Sequence, residues 1–485
     1  MNASSDTLKR AWWPGGRGEW TLVLAGANLM LLNFLLVQHT TVAFRHDEVA
    51  MLGFSLAYFL GVSLGYQFSD RLSARFVRWM LPVCLAVQMA LFVGAQALFH
   101  QVSVAAGKFA AGGVLLALIA AFATSVHAIF LPRVVEAGGG LRRCYSLEIV
   151  GSLVGLALVP LLAPIAHECV LAAYFVSYAG LAAAAGAGRG IVGAIAAGAA
   201  VFVVQFGAWD RAAAAWFDAR FYRWKIDEVA LARYTPYHKI EVVRSGRDYR
   251  LLLNGKRQFG GDPQRTYAYF VAEVPARLLG APKTAVLGCG SMATVGRIGD
   301  FVPTVRIVDI DPEVFGAARK YFSAYNRLDE LHNWTFEADD AKHWIANARE
   351  QFGLILHDIP PARSRQVALT YTEEFFRLAK ARLEPGGIFS ISSLTPLAGR
   401  SSYGRRMLAT LGKVFEHYVV LVHRDSAYFY GGGPGMREPG AEEIQRLLAA
   451  AGRDGVRVYT RAEIEAMVAG EKIITMANVG DLIYE

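Results

Sequence analysis

Charged residues are scarce in this chain of 485 residues. Asp, Glu, Lys and Arg make up 19% of it, whereas 54% of the residues are hydrophobic. Soluble domains carry about a quarter charged residues. The shortfall indicates that part of the chain lies in lipid. The net charge of +8 does not require a nucleic-acid partner, because basic residues at the edges of membrane spans produce such an excess.

Cysteine is scarce as well, and its spacing excludes two kinds of stabilising site. The four cysteines do not show the paired spacings of a disulfide framework or of a zinc site. We therefore expect neither disulfides nor a bound metal. The polar stretch 1–19 lacks a short apolar region followed by a cleavage site, so we expect no removable signal peptide.

Long apolar runs fill the chain between Trp20 and Trp209. Each run is near the length of about 20 residues that a helix needs to cross a bilayer. Their glycine and alanine content favours close packing of helices in lipid. Residues 1–209 are thus predicted to form a helical membrane domain of about seven spans. The spans are expected near 20–43, 50–68, 78–99, 110–132, 146–165, 169–187 and 190–208.

The composition changes after Trp209. Residues 210–233 are polar and aromatic, and we expect an interfacial linker there, lying on the membrane surface as a helix. Residues 234–270 contain two alternating segments, 237–243 and 249–253, which predict a β-hairpin. Asn254-Gly255 predicts the next turn. A small β-meander therefore follows the linker.

Strands and helices alternate through the remaining residues, 271–485. Strands are expected at 284–287, 305–308, 354–358, 387–392 and 418–422, with a helix at 372–383. The glycines at 431–433 are expected in a flexible loop. The predicted fold is a multi-span α-helical membrane domain, a β-meander and a Rossmann-like α/β domain of the class I methyltransferase type.

A glycine turn marks the candidate site of this last domain. The turn 288–291 follows the first strand, and Asp309 ends the second strand about 20 residues later. Glycines let the backbone approach a ligand, and a carboxylate at that place can hold both hydroxyls of a ribose. Ala293 stands where a third glycine would complete the dinucleotide pattern. Gly-x-Gly with a spaced acid is the form used by adenosylmethionine enzymes, although a βαβ turn without a nucleotide is the alternative.

A series of motifs over roughly 235–430 resembles the spermidine synthase (aminopropyltransferase) family. In order along the chain they are YHKIEVV, LLLNGKRQ, AVLGCGS, VRIVDIDPEVFGAARKYF, EADDAKHWI, LILHDIPPA and LTYTEEFF. The resemblance implies a nucleoside site and an amine site in one crevice. It implies that Asp358 accepts the amine proton and that Tyr267 and Tyr371 line the amine pocket. It implies that the nucleoside contacts His238, Gln258, Gly288, Gly290, Ser291, Asp309, Asp340 and Ala341.

The chain departs from the family in the amine half of the site. Ser291 stands where the family has an aspartate that grips the aminopropyl ammonium group of decarboxylated adenosylmethionine. The acid that follows the proton acceptor in the family is replaced by Ile359. Asn254 occupies a turn position that is usually aspartate. Because an acid at position 291 would repel a carboxylate, its loss makes ordinary adenosylmethionine as good a candidate donor as the decarboxylated form.

Three functions are compatible with this pattern. The first is a membrane-bound aminopropyltransferase that releases methylthioadenosine. The second is an adenosylmethionine-using lyase or methyltransferase with the same nucleoside site. The third is a nucleoside-sensing module, without enzymatic activity, coupled to a transporter-like membrane domain. Cysteine 289, in the glycine turn, is expected to be a small side chain beneath the ligand rather than a reactive thiol.

The expected location follows from the donor and from the loop charges. Arginines cluster in the loops near Arg71 and Arg142, which marks those loops as cytoplasmic. Seven spans would then place residues 210–485 outside. We nevertheless expect them in the cytoplasm of a bacterial cell, at the inner membrane, because adenosylmethionine is made there. The expected partners are a small amine, membrane lipid and a second copy of the chain in a homodimer.

Overall fold

The structure is a computed structural model that describes residues 18–44, 47–260, 266–280, 282–362, 364–393, 397, 402–453 and 455–483. The chain divides into two compact units. The first, here the helical unit, comprises Met1–Gly246 and Leu252–Lys256. The second, here the sheet unit, comprises Arg247–Leu251 and Arg257–Glu485.

Helices build most of the helical unit. They are α1 (Gly18–Phe44), α2 (Asp47–Phe68), α3 (Ala74–Ala105), α4 (Phe109–Ala128), α5 (Phe130–Glu136), α6 (Leu141–Leu162), α7 (His167–Ala184) and α8 (Arg189–Phe221). In the part of the chain that the structure describes, seven helical segments are long and apolar enough to cross a membrane. The segments correspond to the seven apolar runs of the sequence.

Glycines bring α1 and α6 into close contact, as their frequency in the apolar runs predicts. A Cβ atom on Gly151 would lie 2.0 Å from the carbonyl oxygen of Val23. A Cβ atom on Gly155 would lie 2.3 Å from the carbonyl oxygen of Ala27. The two backbones can approach this closely only because neither glycine carries a side chain.

The stretch 210–233, expected as a separate linker, is divided between two elements. Helix α8 continues without a break to Phe221, because the alanines at 212–215 favour a helix. Strand β1 then covers Glu228–Tyr234 and pairs antiparallel with β2, Lys239–Ser245. The strand was not predicted, since its sequence EVALARY is rich in residues that are equally at home in a helix.

A buried ion cluster joins this strand pair to α8 within the helical unit. The ammonium nitrogen of Lys239 lies 2.8 Å from Oδ1 of Asp210 and 3.0 Å from Oε1 of Glu241. The exposed fraction of the three side chains is 4%, 4% and 1%. Burial alone would lower the pKa of Lys239, but the two carboxylates raise it well above its ordinary value. Lys239 therefore keeps its charge.

The predicted β-meander is present with one strand more than expected. Strands β3 (Asp248–Leu253) and β4 (Lys256–Phe259) complete a four-stranded sheet in the order β1-β2-β3-β4. Asn254 and Gly255 connect β3 to β4 with φ values of +47° and +68°. Two successive positive φ angles are typical of the type I′ turn for which Asn-Gly is the preferred sequence. This turn was predicted and is confirmed.

An eight-stranded sheet forms the centre of the sheet unit. Its strands are β5 (Thr284–Leu287), β6 (Val305–Asp309), β7 (Trp334–Ala338), β8 (Phe352–His357), β9 (Leu383–Ser392), β10 (His417–His423), β11 (Ser426–Gly432) and β12 (Val456–Tyr459). Their order is β12-β10-β11-β9-β8-β5-β6-β7. The five strands from β9 to β7 pair in parallel, and β10, β11 and β12 add antiparallel pairs. This is the predicted Rossmann-like fold.

Helices connect and cover these strands. They are α9 (Val274–Leu279), α10 (Ala293–Ile298), α11 (Pro312–Asn326), α12 (Ala341–Asn347), α13 (Arg365–Ala368), α14 (Glu373–Lys380), α15 (Tyr403–Val414), α16 (Ala441–Ala450) and α17 (Arg461–Val468). The prediction of a flexible loop at 431–433 is wrong for Gly431 and Gly432, because both belong to β11. A Cβ atom on Gly431 would lie 2.8 Å from Cγ of Phe415, so these glycines serve close packing.

Candidate functional site

Four adjacent parallel strands end at the same edge of the large sheet. In the sheet order β8-β5-β6-β7 they are followed by Asp358, by the glycine turn 288–291, by Asp309 at the last position of β6, and by Asp340. The sequence-predicted residues therefore line up along one edge. In open α/β sheets, ligands bind in the crevice outside the carboxyl ends of the strands.

The glycine turn needs glycine at its first position for two reasons. Gly288 has a φ of +86°, and a Cβ atom there would lie 2.4 Å from the carbonyl oxygen of Asp358. Gly290 has a φ of +45°. The Ser291 side chain is buried, and its backbone carbonyl accepts a hydrogen bond of 2.7 Å from Nδ2 of Asn326. The turn is thus held between β8 and the end of α11.

Two backbone amides orient the carboxylate of Asp309. Oδ2 accepts the Cys289 N–H at 2.8 Å, and Oδ1 accepts the Asp311 N–H at 2.9 Å. Each carboxylate oxygen can accept more than one hydrogen bond, so these two bonds do not by themselves prevent a contact with a ribose hydroxyl. Burial raises the pKa of the Cys289 thiol well above its ordinary value, so this side chain stays protonated and unreactive.

Asp340 begins helix α12 as its N-cap. Its Oδ1 accepts the backbone N–H of Lys342 at 2.8 Å and that of His343 at 3.2 Å. The neighbouring Asp339 binds Nδ1 of His343 at 2.8 Å. Both capping hydrogen bonds are accepted by Oδ1 of Asp340. The other oxygen, Oδ2, is the atom that would accept a hydrogen bond from the amino group of a nucleobase. Ala341, the first residue of α12, offers little bulk beside it.

Both carboxylate oxygens of Asp358 accept a side-chain hydrogen bond. The Tyr267 hydroxyl donates to Oδ1 at 3.0 Å, and the Thr294 hydroxyl donates to Oδ2 at 2.8 Å. Burial raises the pKa of Asp358 to about 7, and the two hydrogen bonds counteract part of that rise. A carboxylate with such a pKa exchanges a proton readily at neutral pH, which is what a general base requires.

Tyr371 contacts the chain just after Asp358 rather than Asp358 itself. Its hydroxyl lies 3.0 Å from the carbonyl oxygens of Ile359 and of Pro360. The side chain is almost fully buried, with 1% of its surface exposed. This geometry suits a residue that fixes the backbone beside the base, and a contact between Tyr371 and the amine stays a prediction.

The remaining predicted residues lie outside the row of strand ends. Gln258 is half-buried in β4, and His238 lies between β1 and β2 in the helical unit. Their contacts with a nucleoside stay predictions. Sequence reasoning missed Thr294, whose only signal was a threonine in the first turn of the helix that follows the glycine turn. It also missed Asn326, which holds the turn from α11.

The comparisons with known proteins agree with this geometry. The family model of the spermine/spermidine synthase domain matches residues 266–424. A polyamine aminopropyltransferase of Leptospira interrogans is 32% identical over 200 residues, which are 38% of this chain and 39% of that protein. Polyamine aminopropyltransferase 2 of Aquifex aeolicus is 25% identical over 224 residues, 44% of each protein. The chain therefore matches less than half the length of these two relatives.

A crystal structure of spermidine synthase from Thermotoga maritima aligns with 54% of this chain and 89% of its own, at 17% identity and a TM-score of 0.41. The matched residues 266–424 include the glycine turn, Asp309, Asp340 and Asp358, and thus the whole row of strand ends. Over these residues the chain is similar to the spermine/spermidine synthase domain, and in this sense it is spermidine synthase-like.

Proposed function

We propose that the protein is a membrane-bound transferase that moves an aminopropyl group from decarboxylated adenosylmethionine to a small amine and releases methylthioadenosine. The observation that carries this proposal is the placement of Asp358. Its carboxylate follows β8 beside the glycine turn, and burial brings its pKa to about 7. The relatives of this chain are named polyamine aminopropyltransferases, and their names support the same class of reaction.

The proposed reaction does not require a covalent bond between the protein and the substrate. The amine nitrogen attacks the carbon next to the sulfonium, the C–N bond forms, and the C–S bond breaks with its electron pair passing to sulfur. The nitrogen then loses a proton, for which Asp358 is the acceptor. Because the sulfonium is already a good leaving group, the protein contributes mainly the orientation of the two reactants. Asp309 and the glycine turn would hold the nucleoside in place.

Membrane insertion of the helical unit is part of the proposal. Large apolar side chains on its helices face outward, among them Phe59, Trp79 and Val204 with 67%, 62% and 79% of their surface exposed. Soluble proteins rarely expose an apolar surface of this kind, whereas lipid covers it at no cost. We place the protein in a bacterial inner membrane with the sheet unit on the cytoplasmic side. Protein that is extracted from membranes by alkaline carbonate would contradict this placement.

Product analysis tests the reaction directly. Detergent-purified protein is incubated with decarboxylated adenosylmethionine, with and without putrescine or spermidine, and the products are identified by mass spectrometry. We expect methylthioadenosine and an aminopropylated amine to appear together. Both should appear only when putrescine or spermidine is present. Binding of the nucleoside without any product would instead favour the sensing module.

A second reaction is supported by Ser291. The family's aspartate at this position would repel the carboxylate of ordinary adenosylmethionine, and serine does not. In a lyase, that carboxylate displaces methylthioadenosine within the same molecule. The same assay separates the cases: methylthioadenosine from adenosylmethionine alone indicates a lyase, and adenosylhomocysteine indicates a methyltransferase.

A further inference from the structure

The hydroxyl of Thr294 has an unusual use for a helical threonine. Thr294 lies in the first turn of α10 with 1% of its surface exposed. A threonine hydroxyl inside a helix commonly donates to the carbonyl one turn earlier in its own chain. Here it donates to Oδ2 of Asp358, on the neighbouring strand end, at 2.8 Å. A buried hydroxyl is thereby directed at the proposed base.

We propose that Thr294 is a positioning residue that fixes the orientation of the Asp358 carboxylate for proton transfer. Tyr267 holds Oδ1 and Thr294 holds Oδ2, so that the plane of the carboxylate is set from two sides. One hydrogen bond would leave the group free to rotate about its side-chain bonds. This inference rests on the proposed function, in which Asp358 accepts the proton of the amine.

The same contact sets the proton affinity of the base. The groups of the described residues that interact electrostatically or by hydrogen bonds with Asp358 include Tyr267, Thr294, Cys289, Asp309 and Tyr371. Burial and the charge of Asp309 favour the protonated carboxyl, whereas the hydrogen bonds from Thr294 and Tyr267 favour the carboxylate. Removing the Thr294 hydroxyl leaves the opposing influences in place, so the pKa of Asp358 must rise above about 7.

The position of Thr294 in the chain also links the base to the nucleoside turn. Residues 288–291 form the turn, and α10 begins two residues later at Ala293. Loss of the hydroxyl should therefore lower kcat while the turn, which α10 and Asn326 continue to hold, still binds the nucleoside. A purely structural role would instead weaken nucleoside binding and stability together.

The test compares Thr294→Val, which has nearly the same shape without the hydroxyl, with Thr294→Ser, which keeps the hydroxyl. A hydrogen bond to a charged group shifts its pKa by about one to two units. We expect the acidic limb of the pH–rate profile of Thr294→Val to move up by about one unit and kcat at pH 7 to fall about fivefold. Thr294→Ser should keep the native profile, and nucleoside affinity measured by calorimetry should stay within about twofold for both.

Thr410→Val is the matched control. Thr410 is another buried helical threonine of the sheet unit, and its hydroxyl donates to the Arg406 carbonyl at 2.7 Å. Its loss should lower the melting temperature without moving the pH–rate profile. If Thr294→Val does not fold, Thr294→Ala takes its place. An acidic limb that stays where it is in the folded variant overturns the proposal.

A measurement without turnover keeps this inference separate from the proposed function. Infrared difference spectra report the protonation of a buried carboxyl, and the band of Asp358 is assigned by its absence in Asp358→Asn. Its titration midpoint should rise in Thr294→Val and not in Thr294→Ser. If no donor and acceptor yield a product, the proposed function fails, while this titration still decides the role of Thr294. An unchanged midpoint overturns that role even in an active enzyme.

Discussion

The Asp309 carboxylate accepts the backbone N–H of Cys289 at 2.8 Å, so the end of β6 is tied directly to the glycine turn after β5. With the Asp311 N–H on its other oxygen, the carboxylate is oriented before any ligand arrives. The proposed ribose acceptor is therefore oriented by backbone amides, which a substitution of neighbouring side chains would leave in place.

Asp309→Ala should abolish nucleoside binding, because it removes the acceptor of both ribose hydroxyls. Two hydrogen bonds to a charged group are together worth about 3–6 kcal/mol, and we expect affinity to fall by at least about 100-fold. Calorimetry with methylthioadenosine measures this. The control is Asp300→Ala, an exposed acid of the same unit that pairs with Arg327. Native affinity in Asp309→Ala would disprove the ribose assignment.

Asp358→Asn should retain nucleoside affinity and lose turnover, since the amide cannot accept the amine proton. The native enzyme should gain activity as the pH rises through about 7, because the carboxylate is the active form. The pH–rate profile of the native enzyme and a single-turnover assay of the variant measure both effects. A variant with a rate near that of the native protein would remove Asp358 from the mechanism.

The stability of the protein should also depend on Asp358, with a defined sign. Its pKa is raised on folding from 3.8 to about 7, so the folded state binds the proton more tightly than the unfolded state. Ionisation therefore destabilises the fold progressively as the pH rises from about 4 to 7, and above 7 the full loss persists. We expect Asp358→Asn to be more stable than the native protein at pH 8, by on the order of 4 kcal/mol, and close to it at pH 4. Thermal melting at both values checks this, and an equal difference at the two values would contradict it.

Ser291→Asp should change the preference between the two donors. The new carboxylate attracts the ammonium group of the decarboxylated form and repels the carboxylate of ordinary adenosylmethionine. We expect the ratio of kcat/KM values to shift about tenfold or more toward the decarboxylated donor. Ser291→Asn, which has a similar volume without charge, is the control and should leave the ratio near its native value. An unchanged ratio in Ser291→Asp would mean that position 291 does not face the propyl end of the donor.

Lys239→Met should destabilise the helical unit strongly. Removing the ammonium leaves the carboxylates of Asp210 and Glu241 buried without it, and breaking a buried ion pair in this way costs about 3–5 kcal/mol. The melting temperature in detergent reports the loss. Lys225→Met changes an exposed lysine nearby and should have little effect. Equal melting temperatures of the two variants would show that the cluster is not structural.

The sequence predicted those features that have a local physical cause. The apolar runs required helices, and the Asn-Gly pair required a type I′ turn. The glycine turn was predicted for the approach of a ligand, and the structure adds that a side chain on Gly288 would not fit against Asp358. The alignment of Asp309 and Asp358 followed from their positions after parallel strands. These predictions needed only spacing, chain geometry and the family resemblance.

Other features depend on contacts between distant residues, and local patterns did not reveal them. Strand β1 forms because β2 pairs with it, while its own sequence suits a helix equally well. The contact of Thr294 with Asp358 joins residues 64 positions apart. The hydroxyl of Tyr371 is directed at backbone carbonyls, which the residue type alone could not indicate.

The Lys239–Asp210 pair has a consequence for dissecting the chain. A truncated protein that begins anywhere between residues 211 and 233 would omit the apolar runs. It would also lack Asp210 while retaining Lys239. Such a fragment would keep Glu241 but lose Asp210, so the buried Lys239 would retain one of its two carboxylate partners. The change in composition after Trp209 is therefore not a boundary at which the chain can be divided without breaking a buried ion pair. A truncated protein that begins after Asp210 would need substitutions at Lys239 and Glu241.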